Sequence, residues 1–208
     1  MRTRVKICGF TRIDDAVSAA GMGVDAIGLV FYPASPRHVD LERAAAISRS
    51  LPAFVSVVAL FVDAEASLIQ QVLNSVRVDC LQFHGNEPAD VCRAYNKPYI
   101  KAIQMQPHTK VAELEKQYHD ACGLLLDAYH PGLQGGTGNG FDWDLIPGNC
   151  RLPIILAGGL TADNAGQAIR TVKPYALDVS SGVETAKGIK DAEKMAAFIK
   201  ITNQAIEI

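Results

Sequence analysis

The chain is 208 residues long, 49% hydrophobic and 7% aromatic, with a formal net charge of −2. That balance gives ample material for a buried core and no basic footprint for nucleic acid or an anionic membrane surface. Its five cysteines (Cys8, Cys80, Cys92, Cys122 and Cys150) are odd in number, scattered and without a CxxC pair, which argues against a disulfide framework or zinc centre and for a reducing compartment.

The first apolar run, Val5–Gly9, ends with Cys8 where the chain must turn. A second, Ala26–Phe31, leads into the polar stretch FYPASPRHV, and a third covers Val55–Val62. Ile69, Val72, Leu73 and Val76 then fall at i, i+3, i+4 and i+7, the spacing of one helical face. Further apolar runs occupy Cys80–His84, Tyr99–Met105 and Gly123–Tyr129. The next connection, HPGLQGGTGNGFDWDLIPGNCRL, is rich in glycine and poor in helical period; it reads as a loop that closes over a ligand, or as a disordered excursion. Within it, Phe141–Ile146 is expected to form a short helix started by Asp142 or Asp144. Runs at Pro153–Gly159 and Ala176–Ser181 bracket a helix read from Ala165, Ala168, Ile169 and Val172. Ala192, Met195, Ala196 and Ile199 give a last helix with Asp191 near its start.

Strand then helix, repeated along the chain, means parallel strands joined by crossovers. The strands are continuous apolar runs, as expected when helices cover a parallel sheet. A doubly wound open sheet and a closed barrel both fit; eight units favour the barrel. The expected fold is therefore α/β, a single (β/α)8 TIM barrel forming one domain over residues 1–208. The segment MRTRVKICGF has no apolar core of signal-peptide length, and no run reaches the roughly 18 apolar residues of a membrane helix. A cytoplasmic protein without membrane partners is the expectation.

In such a barrel, ligand chemistry collects where strands end and βα loops begin. The ionisable residues gather there: Cys8, then Arg37 and His38, Asp63, His84, Asp127, and the loops LAGGL and DVSSGVE. Gly158 and Gly159, with Ser180, Ser181 and Gly182, are small residues that let backbone N–H groups approach an anion, and they sit in the two loops where barrels often hold phosphate. Read singly, each pair could equally be a tight turn. Asp127 follows three leucines, and desolvation there would raise its pKa and let it deliver a proton; capping or ion pairing is the alternative. Cys8 is either an inert buried thiol or a reactive one at the strand mouth. Arg37 reads as an exposed guanidinium able to clamp a carboxylate, or as a solvated surface charge. His84 reads as an anion contact, an acid–base group or a satisfied core histidine. Lys6 and Lys101 lie on strands and are candidates for a Schiff base. The other histidines (His38, His108, His119 and His130) form no recognisable metal triad, so no metal is assigned.

Taken in order, KICGFT, FYPASPRHV, LFVD, QFHG, the aspartate of LLLDAY, GGTG with FDW, LAGGLTADN, and DVSSGVE followed by GIKD resemble the phosphoribosylanthranilate isomerase family of tryptophan biosynthesis. The resemblance runs from residue 5 to past residue 190; Phe83, where the family more often has leucine, is a departure of core type. It implies a (β/α)8 barrel that performs an Amadori rearrangement of N-(5′-phosphoribosyl)anthranilate without a cofactor. It also implies Cys8 as general base, Asp127 as general acid, Arg37 and His84 on the substrate, phosphate in the last two loops, and Asp178 near the anthranilate nitrogen or ribose. The partner is thus a phosphorylated small molecule, and monomer or homodimer is left open. Gly135, Gly136 and Thr137 belong to the expected lid, mobile without ligand and ordered with it. Three other readings stand beside this one: the histidine-pathway isomerase that performs the same rearrangement on a larger substrate, a non-catalytic barrel that binds a phosphorylated metabolite, and a Schiff-base aldolase using Lys6 or Lys101. The first would carry aspartate at the end of the first strand and phosphate sites on both halves, against Cys8 and a single phosphate signature here.

Overall fold

The structure is a computed structural model of the chain and describes residues 2–128 and 142–204. Eight strands, β1 (Arg4–Cys8), β2 (Ala26–Val30), β3 (Ser56–Phe61), β4 (Cys80–Phe83), β5 (Tyr99–Met105), β6 (Gly123–Ala128), β7 (Ile154–Leu156) and β8 (Ala176–Val179), close into a barrel in sequence order. All are parallel, and β8 pairs back onto β1 through Lys6 opposite Asp178. The crossovers carry α1 (Ile13–Gly21), α2 (Leu41–Ser50), α3 (Ala66–Ser75), α4 (Ala89–Arg93), α5 (Val111–Gln117) and α6 (Ala162–Val172), and α7 (Ala192–Gln204) follows β8. The expected (β/α)8 fold is the observed one.

Two details differ from expectation. The helix read over 141–146 is a single 3-10 turn, Trp143–Leu145, capped by Asp142, which accepts from the Asp144 N–H at 3.0 Å. Pro147 and Gly148 stop it before an α-turn can form. After β8 an antiparallel hairpin, β9 (Glu184–Ala186) and β10 (Ile189–Lys190), precedes α7. The proposed lid residues Gly135, Gly136 and Thr137 lie outside the described residues.

The apolar runs conceal an alternation that fixes the site. Ile7, Leu29, Phe61, Phe83, Leu126, Leu156 and Leu177 point outward into the layer between strands and helices. Ile100, Ala102, Leu125, Ile155 and Ala176 point inward and fill the barrel. Successive side chains on a strand face opposite ways, so Lys6, Cys8, Gln82, His84, Asp127 and Asp178 share the inward set. Phe83 belongs to the outer layer, fully buried, with ring centroids 6.4 Å from Phe61 and 6.0 Å from Tyr99. A side chain there bears on packing, not on the barrel's mouth.

Candidate active site

At the C-terminal mouth of the barrel lies a cavity of about 700 Å³, counting its open entrance. Cys8, Arg37, His84, Asp127, Asp178, Gly158, Gly159, Ser180 and Ser181 all line it. Val30, Tyr32, Leu60 and Val62 supply an apolar wall. Gly182 sits in the 3-10 turn Ser181–Val183 and is not among the lining residues. Asp63, also at a strand end, holds a turn instead: its Oδ1 accepts from the Asn86 N–H at 2.6 Å.

Beneath Cys8 the barrel holds a buried ion pair. Lys6 Nζ lies 2.8 Å from Asp178 Oδ1, with side chains only 5% and 8% exposed. Burial opposes the Lys6 charge, but Asp178 and Cys8 more than offset it and hold the ammonium above its usual value. Burial pushes the Asp178 carboxyl up, against the pull of Lys6. Cys8 is also pushed up, chiefly by burial, with Lys6 and Lys190 pulling the other way. Room for the sulfur comes from the neighbouring strand: a Cβ on Gly28 would meet Cys8 Sγ at 2.6 Å.

Across the mouth, Gln82 Nε2 lies 2.9 Å from His84 Nδ1. With the amide donating, the imidazole carries its proton on Nε2, which faces Asp127 Oδ2 at 3.2 Å. That approach is close but poorly directed for a hydrogen bond, and Gln82 Oε1 has no partner among the described residues. Turning the amide over would place the imidazole proton on Nδ1 and leave the Nε2 lone pair facing Asp127. Asp127 Oδ1 accepts from the Ala128 N–H at 2.9 Å.

Arg37 is not the exposed clamp its loop position suggests. Its side chain is 11% exposed and forms a bidentate pair with Glu184, Nε to Oε1 at 2.8 Å and Nη2 to Oε2 at 2.7 Å. The fork leaves three of its five N–H donors for other partners. Lys190 Nζ in turn lies 2.8 Å from Glu184 Oε1 and donates to the carbonyls of Cys8 at 2.6 Å and Ser180 at 3.3 Å. Burial opposes ionisation of Glu184, but Arg37 and Lys190 outweigh it and hold the carboxyl below its usual range. Burial lowers the Lys190 pKa against the pull of Glu184.

The loops after β7 and β8 approach each other at the same mouth. Gly158 and Gly159 have φ of +84° and +65°, a conformation that side-chain-bearing residues rarely adopt. Asn164, in the first turn of α6, fixes this turn by accepting from the Thr161 N–H at 2.9 Å and donating to Gly159 O at 2.8 Å. Ser180 Oγ donates to Cys8 O at 3.0 Å, joining the eighth loop to the first strand.

A sequence profile of the N-(5′-phosphoribosyl)anthranilate (PRA) isomerase family matches residues 5–201. The chain is 55% identical over 200 residues to the N-(5′-phosphoribosyl)anthranilate isomerase of Nitrosococcus oceani, covering 96% of this chain and 97% of that protein. The chain belongs to the PRA isomerase family. The crystal structure of phosphoribosyl anthranilate isomerase from Thermotoga maritima superposes with a TM-score of 0.86 at 40% identity, over 96% of this chain and 98% of that one. A phosphoribosyl anthranilate isomerase in complex with reduced 1-(o-carboxyphenylamino)-1-deoxyribulose 5-phosphate superposes with a TM-score of 0.83 at 39% identity, over 96% and 98% of the two chains. This PRA isomerase is an enzyme of tryptophan biosynthesis, which sets aside the histidine-pathway, non-catalytic and aldolase readings.

Three further residues at the isomerase's mouth carry no role in the reading of the sequence, although Gln82 and Glu184 stand at strand ends. Glu184 and Lys190 were visible only as letters of DVSSGVE and GIKD, and pairing across about 150 residues leaves no local signal. Gln82 stands in QFHG, and its inward position, two residues before His84, is the available cue.

Proposed function

We propose that this chain rearranges N-(5′-phosphoribosyl)anthranilate to 1-(2-carboxyphenylamino)-1-deoxyribulose 5-phosphate, with Cys8 as general base and Asp127 as general acid. The observation that carries the reading is the convergence of a thiol from β1 and a carboxyl from β6 on one cavity. Asp127 gives a proton to the ribose ring oxygen as the C1′–O bond breaks and the anthranilate nitrogen forms a double bond to C1′. The iminium is an electron sink, so the C2′ proton becomes acidic and the Cys8 thiolate removes it. The resulting enolamine gains a proton at C1′, loses one from the C2′ hydroxyl, and becomes the ketone.

Other residues support this assignment by chemistry. The free N–H groups of Arg37 suit the anthranilate carboxylate, beside the apolar wall of Val30, Leu60 and Val62 that suits its ring. Backbone N–H groups around Gly158, Gly159, Ser180 and Ser181 suit the phosphate, with Gly182 shaping that turn. His84 beside Asp127 is suited to return a proton to it, and Asp178 is suited to the anthranilate nitrogen or the ribose. Lys6 supplies the positive field that a thiolate at Cys8 requires.

The test is the loss of fluorescence from freshly prepared phosphoribosylanthranilate. Cys8→Ala and Asp127→Asn are each expected to lower kcat about 100-fold or more. A variant with unchanged turnover removes that residue from the mechanism.

A further inference from the structure

Lys190 is a buried cation to which the mechanism above gives no part. Its side chain is fully buried and does not line the cavity. An ammonium has three N–H donors, and each here has an acceptor: Cys8 O at 2.6 Å, Glu184 Oε1 at 2.8 Å and Ser180 O at 3.3 Å. The main chain is held too. The Lys190 N–H donates to Asp15 Oδ2 on α1 at 3.0 Å, and Thr11 Oγ1 donates to Gly188 O at 2.6 Å, which seats the β9–β10 hairpin on the loop after β1.

The acceptors belong to three parts of the site: the strand end that carries the proposed base, the loop suited to phosphate, and the carboxylate behind Arg37. Where the role is packing alone, apolar side chains often replace a buried ion pair without loss, because desolvating the charges is costly. The charge of Lys190 therefore needs its own account. The charged and titratable groups around Cys8 are Lys6 from β1, Asp178 from β8, Arg37 from the loop after β2, Lys190 from β10, and His84 with Asp127 across the mouth. Lys6 and Asp178 form a neutral pair, whereas Arg37 and Lys190 share the single carboxylate of Glu184. Asp15 has its own cation in Arg12, at 3.9 Å. A positive charge is thus left in surplus behind Cys8, and Lys190 draws the thiol towards its ionised form.

We propose that Lys190 is a positioning residue for the rearrangement: it holds the end of β1, the Ser180 loop and Glu184 in one arrangement, and its charge favours a thiolate at Cys8. It acts through the groups it holds and does not touch the substrate. The catalytic consequence rests on Cys8 being the general base; the field at Cys8 does not, and is read on the free thiol.

The test compares the substrate-free wild type with Lys190→Met, both shown to be folded by circular dichroism. Each is alkylated with chloroacetamide between about pH 6 and about pH 9.5, and every cysteine is followed by mass spectrometry. Cys8 is expected to react about tenfold more slowly in Lys190→Met at the acidic end, with the gap closing as pH rises. Cys122, exposed at the opposite end of the barrel, is expected to react equally in both and serves as the control. In turnover, kcat is expected to fall most at the acidic end, and KM to rise about fivefold as Arg37 loses support. An unchanged pH dependence of Cys8 alkylation, with turnover lowered by one constant factor, overturns the proposal. Lys190→Arg keeps the charge, but its planar fork does not reproduce the three contacts. It is expected to keep the wild-type pH dependence at Cys8 and to raise KM, and it decides the matter should Lys190→Met fail to fold. A wild-type KM in Lys190→Arg, or a Cys8 profile moved to higher pH, overturns the proposal. Should Cys8→Ala retain turnover, the general-base reading fails on its own, and the alkylation comparison still decides the role of Lys190.

Discussion

Lys6 on β1 and Lys101 on β5 look alike until their direction is known. Each is almost fully buried and each lies 2.8 Å from one carboxylate, Asp178 for Lys6 and Glu87 for Lys101. Lys6 points into the barrel beneath Cys8. Lys101 shares the outward parity of Tyr99 and Ile103, and donates to Gly85 O at 2.6 Å. Its partner Glu87 also accepts from the N–H groups of Asp63 and Gly85, at 2.8 and 2.9 Å. One pair therefore sets the field at the Cys8 thiol, and the other ties together the loops after β3 and β4. A buried charge is informative about chemistry only once the face it occupies is fixed.

That contrast can be broken by exchange. Lys6→Met is expected to lower kcat about 100-fold, because the thiolate loses its nearest cation, with the protein still folded by circular dichroism. Lys101→Met is expected to cost about 3–5 kcal/mol in urea unfolding, because Glu87 is left buried and unpaired, while kcat of the folded fraction changes by less than about twofold. An active Lys6→Met, or a folded but inactive Lys101→Met, would erase the distinction.

A third substitution sharpens it. Glu184→Gln frees Arg37 from its partner and is expected to raise KM about tenfold with a smaller change in kcat, if the guanidinium holds the substrate carboxylate as proposed. Equal falls in kcat and kcat/KM would instead assign Glu184 to the transition state.

The smallest effects are those of pH. Cys8 has a raised pKa, so its basic form grows only at high pH, and kcat/KM is expected to keep rising as pH passes about 8.5, the ordinary thiol value. Glu184 has a lowered pKa in the folded chain, so the stability it contributes is present above the ordinary carboxylate value and lost as pH falls through the folded one. Wild type and Glu184→Gln should therefore converge in stability on acidification; curves that stay parallel would show that the ionised carboxylate contributes nothing.

Much of the fold was legible because parallel strands covered on both faces leave long apolar runs. Those runs overstate strand length: Pro153–Gly159 reads as one element, yet β7 holds only Ile154–Leu156, because Ala157 stays buried past the last ladder position. The spacing of Ile69, Val72 and Val76 located α3 well, since one apolar face suffices to hold a surface helix. At the site, Cys8, His84, Asp127 and Asp178 were readable from strand ends, where topology alone brings them together. The environment of Arg37 was not. Its bidentate partner stands 147 positions away, and no periodicity records a contact of that kind.

Lys190 grips the carbonyl of Cys8 from 182 positions downstream, after every strand of the barrel has been laid down. A nascent polypeptide therefore has no finished pocket until that ammonium emerges and seats itself. Separately expressed halves of the molecule would each lack one side of this clasp, and turnover would return only on their reassembly.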